Sequence, residues 1–294
     1  MQIAEREKSN LLSRSLSFAV YSNLWISLGA FLWTYSTFWL FSNSTSFLIP
    51  GFVGAATLFT YNFQRLVKLH TESRRISNRN QWIQEHKTGI TVLTIIGGAG
   101  TFFLTFFLPS SAIWLLIPLG IISLGYALEF LPAGKNTLNL RSLPGLKIIL
   151  ISLTWSIASV MLPLIAEANG IETRHYIFTF ERFLFVIAIT IPFDIRDLRY
   201  DNTQMKTLPQ LLGIKGSLWL STILLILSSL LDFWLFTLGV FPLCAFFSLL
   251  VSYIAAIVLV TLTTNHRPEW YFTGLIDGLF AFQFITLGLS CQLF

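Results

Sequence analysis

The sequence predicts an all-α protein that crosses a membrane many times. Three observations predict it. Of the 294 residues, 54% are hydrophobic and only 11% are charged, against about 25% charged in an ordinary soluble domain. Mean hydropathy is +0.70. The apolar residues also fall into long runs, each close to the ~20 residues that an α-helix needs to span a bilayer.

Nine such runs are expected, at 15–41, 46–69, 88–108, 110–131, 144–167, 174–195, 214–237, 239–262 and 270–292. Short connections break them. Pro109 separates the third run from the fourth, and Gly239 to Pro242 separate the seventh from the eighth. Such punctuation makes consecutive helices antiparallel neighbours. The chain reads as one membrane domain over 1–294. Polar inner loops follow the second and sixth runs, which suggests pseudo-halves of roughly 15–131 and 144–262 with a final helix at 270–292. No clear repeat at residue level accompanies them.

Basic residues orient the chain. All but Arg174 and Arg182 of the 19 Lys and Arg fall in the N-terminal segment or after the second, fourth, sixth and eighth runs. The positive-inside rule then places the N-terminus in the cytoplasm and the C-terminus outside. The expected location is a cell membrane of the bacterial inner-membrane type. The net charge of +5 follows this topology, so nucleic acid is not an expected partner. A cleavable signal peptide is not expected, because residues 1–14 are polar and the following apolar run is too long for one. Cys244 and Cys291 each lie in an apolar run and suggest neither a disulfide framework nor a metal site. His70, His86, His175 and His266 are scattered, without zinc-ligand spacing.

The chemistry concentrates in Thr190–Gly213, TIPFDIRDLRYDNTQMKTLPQLLG. On a helix, Asp194, Asp197 and Asp201 share an arc of about 60°. A one-sided row of acids at the end of a membrane span is costly and self-repelling. A hard divalent cation relieves it, and Mg²⁺ commonly bridges carboxylates to phosphate. The competing reading is a solvated helix end whose acids pair with Arg196, Arg199 and Lys206. Spacing alone does not decide between the two.

The whole phrase, D-x-x-D-x-x-x-D followed by Lys206-Thr207-Leu208-Pro209 and Leu212-Gly213, resembles the second Asp-rich motif of the UbiA superfamily of intramembrane prenyltransferases. The resemblance covers the whole chain. It implies a helical bundle around a lateral, lipid-facing cavity. It also implies transfer of a prenyl group from a prenyl diphosphate to an aromatic or lipid-like acceptor, with Mg²⁺ held by Asp194, Asp197 and Asp201. The first half departs from the family pattern. The family has N-D-x-x-D-x-x-x-D there. This chain has YNFQRLVKLH, with Asn62 in place but Phe63, Leu66 and His70 at the acidic positions. Basic residues stand instead, and a guanidinium clamps phosphate oxygens without a metal. The diphosphate-binding set so implied is Asn62, Arg65 and Lys68, with Lys206 from the second motif, although ordinary positive-inside charge explains Lys68 and pairing with Asp201 explains Lys206. Tyr126 stands where the family often carries a Tyr facing the site, whose ring would steady an allylic cation, although an interfacial aromatic explains it too. Lys147 and Trp155, in LKIILISLTWS, resemble the family's fifth-span pattern, although an interfacial Lys and a packed Trp explain them too. Asp277 is read as a helix-to-helix hydrogen-bonding group, and Asp232 as interfacial. The alternatives are a degenerate relative that binds an isoprenoid or a partner without turnover, and a transporter. The clustering of charge at cytoplasmic ends argues against the transporter.

Overall fold

The computed structural model describes residues 15–42, 45–71, 78–128, 145–167, 170–198 and 207–291. Among them every regular element is helical: α1 at 15–21, α2 (Leu24–Phe41), α3 (Leu48–Thr71), α4 (Asn78–Glu85), α5 (Lys87–Thr105) and α6 (Ser110–Leu128). Then come α7 (Leu146–Ser156), a π-turn at Ile157–Met161, α8 (Leu162–Ala166), α9 (Thr173–Asp197), α10 (Leu208–Thr237) and α11 (Leu243–Thr261). The last span opens with a π-segment at Tyr271–Ile276 and continues as α12 (Leu279–Cys291).

Seven spans among the described residues are long and apolar enough to cross a membrane: α2, α5, α7 through α8, α9, α10, α11, and Tyr271–Cys291. The predicted runs at 46–69 and 110–131 are also helical, as α3 and α6. The inner end of α3 is polar, which keeps it below that standard, whereas α6 is apolar along its length. The run at 15–41 is not one helix. Asn23 adopts a left-handed backbone (φ 63°) and parts α1 from α2. Asn is among the few residues that take this conformation at modest cost.

Two prolines shape the bundle through the carbonyls they release. A proline has no N–H for the carbonyl four residues back. Pro163 thus frees Ser159 O, which accepts from Thr37 Oγ1 on α2 at 2.7 Å. Pro192 frees Ala188 O, which accepts from Ser221 Oγ on α10 at 2.6 Å. In each case a kinked helix is tied to its neighbour, as a membrane interior requires of unpaired backbone groups.

Packing runs α9 against α10 and α7, α3 against α5 and α2, and α11 against α12 and α10. A Cβ added at Gly97 of α5 would lie 2.8 Å from Phe59 N, so only glycine lets α3 and α5 come this close. A layer of rings crosses the middle of the bundle. Trp155 of α7 stacks on Phe280 of α12 with centroids 4.5 Å apart. Trp33 of α2 meets Phe280 at 4.7 Å and Phe185 of α9 at 6.0 Å. The Trp33 indole N–H donates to Gln283 Oε1.

One expectation is corrected. Cys244 and Cys291 form a disulfide, with Cα atoms 5.5 Å apart. They are 47 residues apart in sequence. The antiparallel packing of α11 on α12 brings the first turn of one beside the last turn of the other, which no local spacing reveals.

Candidate functional site at the inner end of α9

The inner end of α9 carries the acids. A capping box at Glu172 and His175 fixes the opposite end of this helix, and Pro192 with its Ser221 tie sets the direction of the last turn. Asp194 is buried, 4% exposed, and it accepts from Lys147 Nζ at 3.4 Å. Lys147 stands in the first turn of α7, just after Gly145, whose φ of 72° starts that helix. Asp197 receives a two-pronged bond from Arg196: Nε to Oδ1 at 2.8 Å and Nη2 to Oδ2 at 3.2 Å. The remaining arm, Nη1, donates to Glu269 Oε1 at 3.1 Å. Phe193 and Phe272, in contact with each other, lie against the guanidinium with ring centroids 5.1 and 5.5 Å from Cζ. Asp277 lies within electrostatic range of Arg196.

The structure thus gathers Asp194, Asp197, Lys147, Arg196 and Glu269 from α7, α9 and the start of the last span. The sequence singled out both acids and touched on Lys147. It missed Glu269, whose only signal was a lone carboxylate in an otherwise basic inner connection, NHRPEW. Asp277, read as a helix-to-helix hydrogen-bonding group, is half-buried in the last span.

The first-half residues behave differently. Asn62 is fully buried, and its carboxamide is engaged at both ends. Its Nδ2 donates to Ser22 O at 3.0 Å, and its Oδ1 accepts from Asn23 Nδ2 at 2.7 Å. Asn62 therefore braces the left-handed turn between α1 and α2. Arg65 is half-buried one turn further along α3. The backbones of Lys68 and Tyr126 are helical, but their side chains lie outside the described residues. Asp201, Lys206 and Arg199 lie outside them altogether. Among the described residues, no group of three or more His, Cys, Asp or Glu is placed to hold a metal ion.

A second polar cluster sits deeper and was not foreseen. Tyr253 Oη of α11 lies 2.5 Å from Glu181 Oε1 of α9 and 2.7 Å from Asp232 Oδ2 of α10. All three residues are buried. Arg182, also buried, donates to Trp33 O at 2.8 Å and Ser36 Oγ at 2.7 Å, and its Cζ lies 4.0 Å from the Trp33 ring centroid. Asp232, expected at the interface, is 1% exposed. Its helix continues another turn outward to Thr237, so the side chain turns into the bundle.

No protein-family model and no curated protein matches this chain. Solved structures do. An apo UbiA homologue from Aeropyrum pernix K1 superposes with a TM-score of 0.59 at 15% identity, covering 95% of this chain and 98% of that one. A UbiA homologue from Archaeoglobus fulgidus, bound to GPP and Mg²⁺, gives 0.59 at 13% identity over 92% and 99% of the two chains. A structure concerned with digeranylgeranylglyceryl phosphate synthase in membranes gives 0.55 at 13% identity over 96% and 99%. At these identities the likeness speaks for architecture, and on that ground this chain has the fold of the UbiA homologues.

Proposed function

We propose that the chain is a membrane prenyltransferase, moving a prenyl group from a prenyl diphosphate to an aromatic or lipid-like acceptor. The observation that carries this reading is the pair of carboxylates at the inner end of α9, Asp194 and Asp197, each held against a cation, on a fold whose relatives include one solved with GPP and Mg²⁺. A second Archaeoglobus fulgidus structure holds DMAPP and Mg²⁺.

The donor set fits Mg²⁺. It is made of hard carboxylate oxygens, and Mg²⁺ takes one or two carboxylates together with substrate phosphates and water rather than a full protein cage. Asp194 and Asp197 would hold the ion, with Asp201 as the third acid of the row. When bound, Mg²⁺ supplies Lewis-acid relief of the charge that develops on a departing diphosphate. The chain's own residues do the rest. Lys147, released from Asp194, donates to a diphosphate oxygen. Arg65 and Lys68 add cationic contacts from the inner end of α3, and Lys206 from the connection before α10. Trp155 and Tyr126 offer ring faces to the allylic cation. Apolar walls keep water from quenching it. The acceptor brings its own nucleophile.

In this reading all nine predicted runs cross the bilayer as one domain, with a lateral cavity open to lipid and the Asp site on the cytoplasmic side. The Cys244–Cys291 bond supports that orientation, because disulfides persist in oxidising compartments. A second reading, binding of an isoprenoid without turnover, draws on Phe63, Leu66 and His70 at the family's acidic positions and on Asn62 being committed to a brace.

The test uses purified protein in lipid nanodiscs with dimethylallyl, geranyl and geranylgeranyl diphosphates, a panel of acceptors, and Mg²⁺ present or absent. Diphosphate release and ligand binding are both measured. Mg²⁺-dependent release, lost by at least about a hundredfold in Asp194→Asn, is the expected result; it corresponds to about 2.7 kcal/mol of transition-state stabilisation. Tight binding without release selects the second reading. Turnover undiminished by Asp194→Asn with Asp197→Asn refutes the proposal.

A further inference from the structure

Arg196 is shared between two carboxylates that come from different parts of the chain. Its Nε and Nη2 occupy both oxygens of Asp197, while Nη1 reaches Glu269 Oε1 at 3.1 Å. Asp197 belongs to the last turn of α9, and Glu269 to the connection that leads into the π-segment of the last span. The Phe193 and Phe272 rings touch each other, with centroids 5.9 Å apart, and together cover one side of the guanidinium; Phe272 is fully buried. A swing from one acid to the other keeps this ring contact.

That arrangement conflicts with a divalent cation at Asp197. An ion that takes Asp197 oxygens must displace the fork, and the displaced guanidinium is left in a half-buried site where an unpaired charge is costly. Glu269 is the acceptor already in contact. A planar five-donor guanidinium can turn its fork from one carboxylate to the next without losing its charge-assisted bonds.

We propose that Glu269 is a positioning residue for the metal site: it takes over Arg196 when Asp197 takes a divalent cation. The inference rests on the metal-assisted reading above. It gives the last span a part in the site that the Asp-rich motif does not contain. Glu269 touches neither ion nor substrate, and it acts through Arg196.

The experiment reads metal binding, not turnover. Mn²⁺ is titrated into the full-length, substrate-free protein in nanodiscs, and free Mn²⁺ is followed by electron paramagnetic resonance. In Glu269→Gln the dissociation constant for Mn²⁺ rises about fivefold to tenfold, because Arg196 then loses the carboxylate it holds beside Asp197. In Arg196→Gln it falls by a similar factor. In the double variant, Glu269→Gln adds less than about twofold over Arg196→Gln alone, since coupled residues give non-additive effects. Glu269→Asp restores most of the affinity. Arg196→Lys, which keeps the charge but loses the fork, moves the constant in the same direction as Arg196→Gln and serves if that variant does not fold.

Two results overturn the inference while leaving the metal-assisted reading intact. One is Glu269→Gln binding Mn²⁺ as the parent does. The other is the same loss appearing in the Arg196→Gln background, which would make Glu269 a distant charge only. If the parent protein binds no Mn²⁺ that Asp194→Asn abolishes, the inference and the metal-assisted reading fall together.

Discussion

Tyr253→Phe removes one hydroxyl and leaves the ring. That hydroxyl lies 2.5 Å from Glu181 Oε1 and 2.7 Å from Asp232 Oδ2, distances in the range of charge-assisted O–H···O bonds. Bonds to charged groups contribute about 1.5–3 kcal/mol in soluble proteins. Interhelical bonds measured inside membranes average only about 0.6 kcal/mol, with a maximum near 1.7, because helices separated in lipid find other partners. Here the upper end applies. Two contacts converge on one oxygen, and Asp232 Oδ1 is buried with no hydrogen-bond partner, so the acids have little else to turn to. No cavity term enters, since Phe keeps the edge contact with Phe185, whose centroid is 5.8 Å away. The expected loss is about 2 kcal/mol. Reversible unfolding in mixed detergent micelles measures it. Combining Tyr253→Phe with Asp232→Asn should cost less than the sum of the two single changes, because the residues share one network. A Tyr253→Phe protein within about 0.5 kcal/mol of the parent, the scatter of ordinary surface substitutions, would show that the three residues are neighbours without being a network.

Asn62→Ala should lower stability by about 2 kcal/mol, because it removes two buried hydrogen bonds, to Ser22 O and from Asn23 Nδ2. An unchanged unfolding midpoint would count against the brace. Replacing Cys244 and Cys291 by Ser should destabilise the pairing of α11 with α12 by less than the ~4 kcal/mol that chain entropy allows for a loop of this length. In intact vesicles, an impermeant maleimide should label the parent cysteines from the outer face only after reduction; labelling without reduction would refute the bond.

The helices were legible because a bilayer imposes a length and a composition on each span. The exceptions have local causes. Asn23 divides a run that is apolar throughout, because a backbone dihedral is invisible to hydropathy. The π-turn after Ser156 contains a carbonyl that Pro163 releases and Thr37 of another helix engages, a contact that sequence spacing does not reveal. At the site, Asp194 and Asp197 stood out as acids at the end of a greasy segment. Both readings of them left mark on the structure: Arg196 does pair with Asp197, as the solvated-end reading expected, and Asp194 is nonetheless buried. Glu269 escaped notice because its partner is 73 residues away. The deeper cluster escaped for a related reason. Arg182 was counted among outer-side charges and Asp232 among interfacial ones, since nothing along either helix says that α9, α10 and α11 turn these groups towards one another. Charge in a membrane sequence is easily placed by depth, and much less easily by direction.

The ring layer formed by Trp33, Trp155, Phe185 and Phe280 bears on a property unrelated to any substrate. Along α9, Asp194 and Glu181 are 13 residues apart, about 20 Å of helix, and Phe185 lies between them with its partners from α2 and α12 beside it. Ionisable groups thus occupy both halves of the molecule, and packed rings part them. The one indole of the layer that bonds a side chain, Trp33 Nε1, turns to Gln283 and to neither acid. Substitutions made at one end and at the other should therefore add in their effect on stability, as changes at well-separated sites do: the molecule can be altered at its two poles independently.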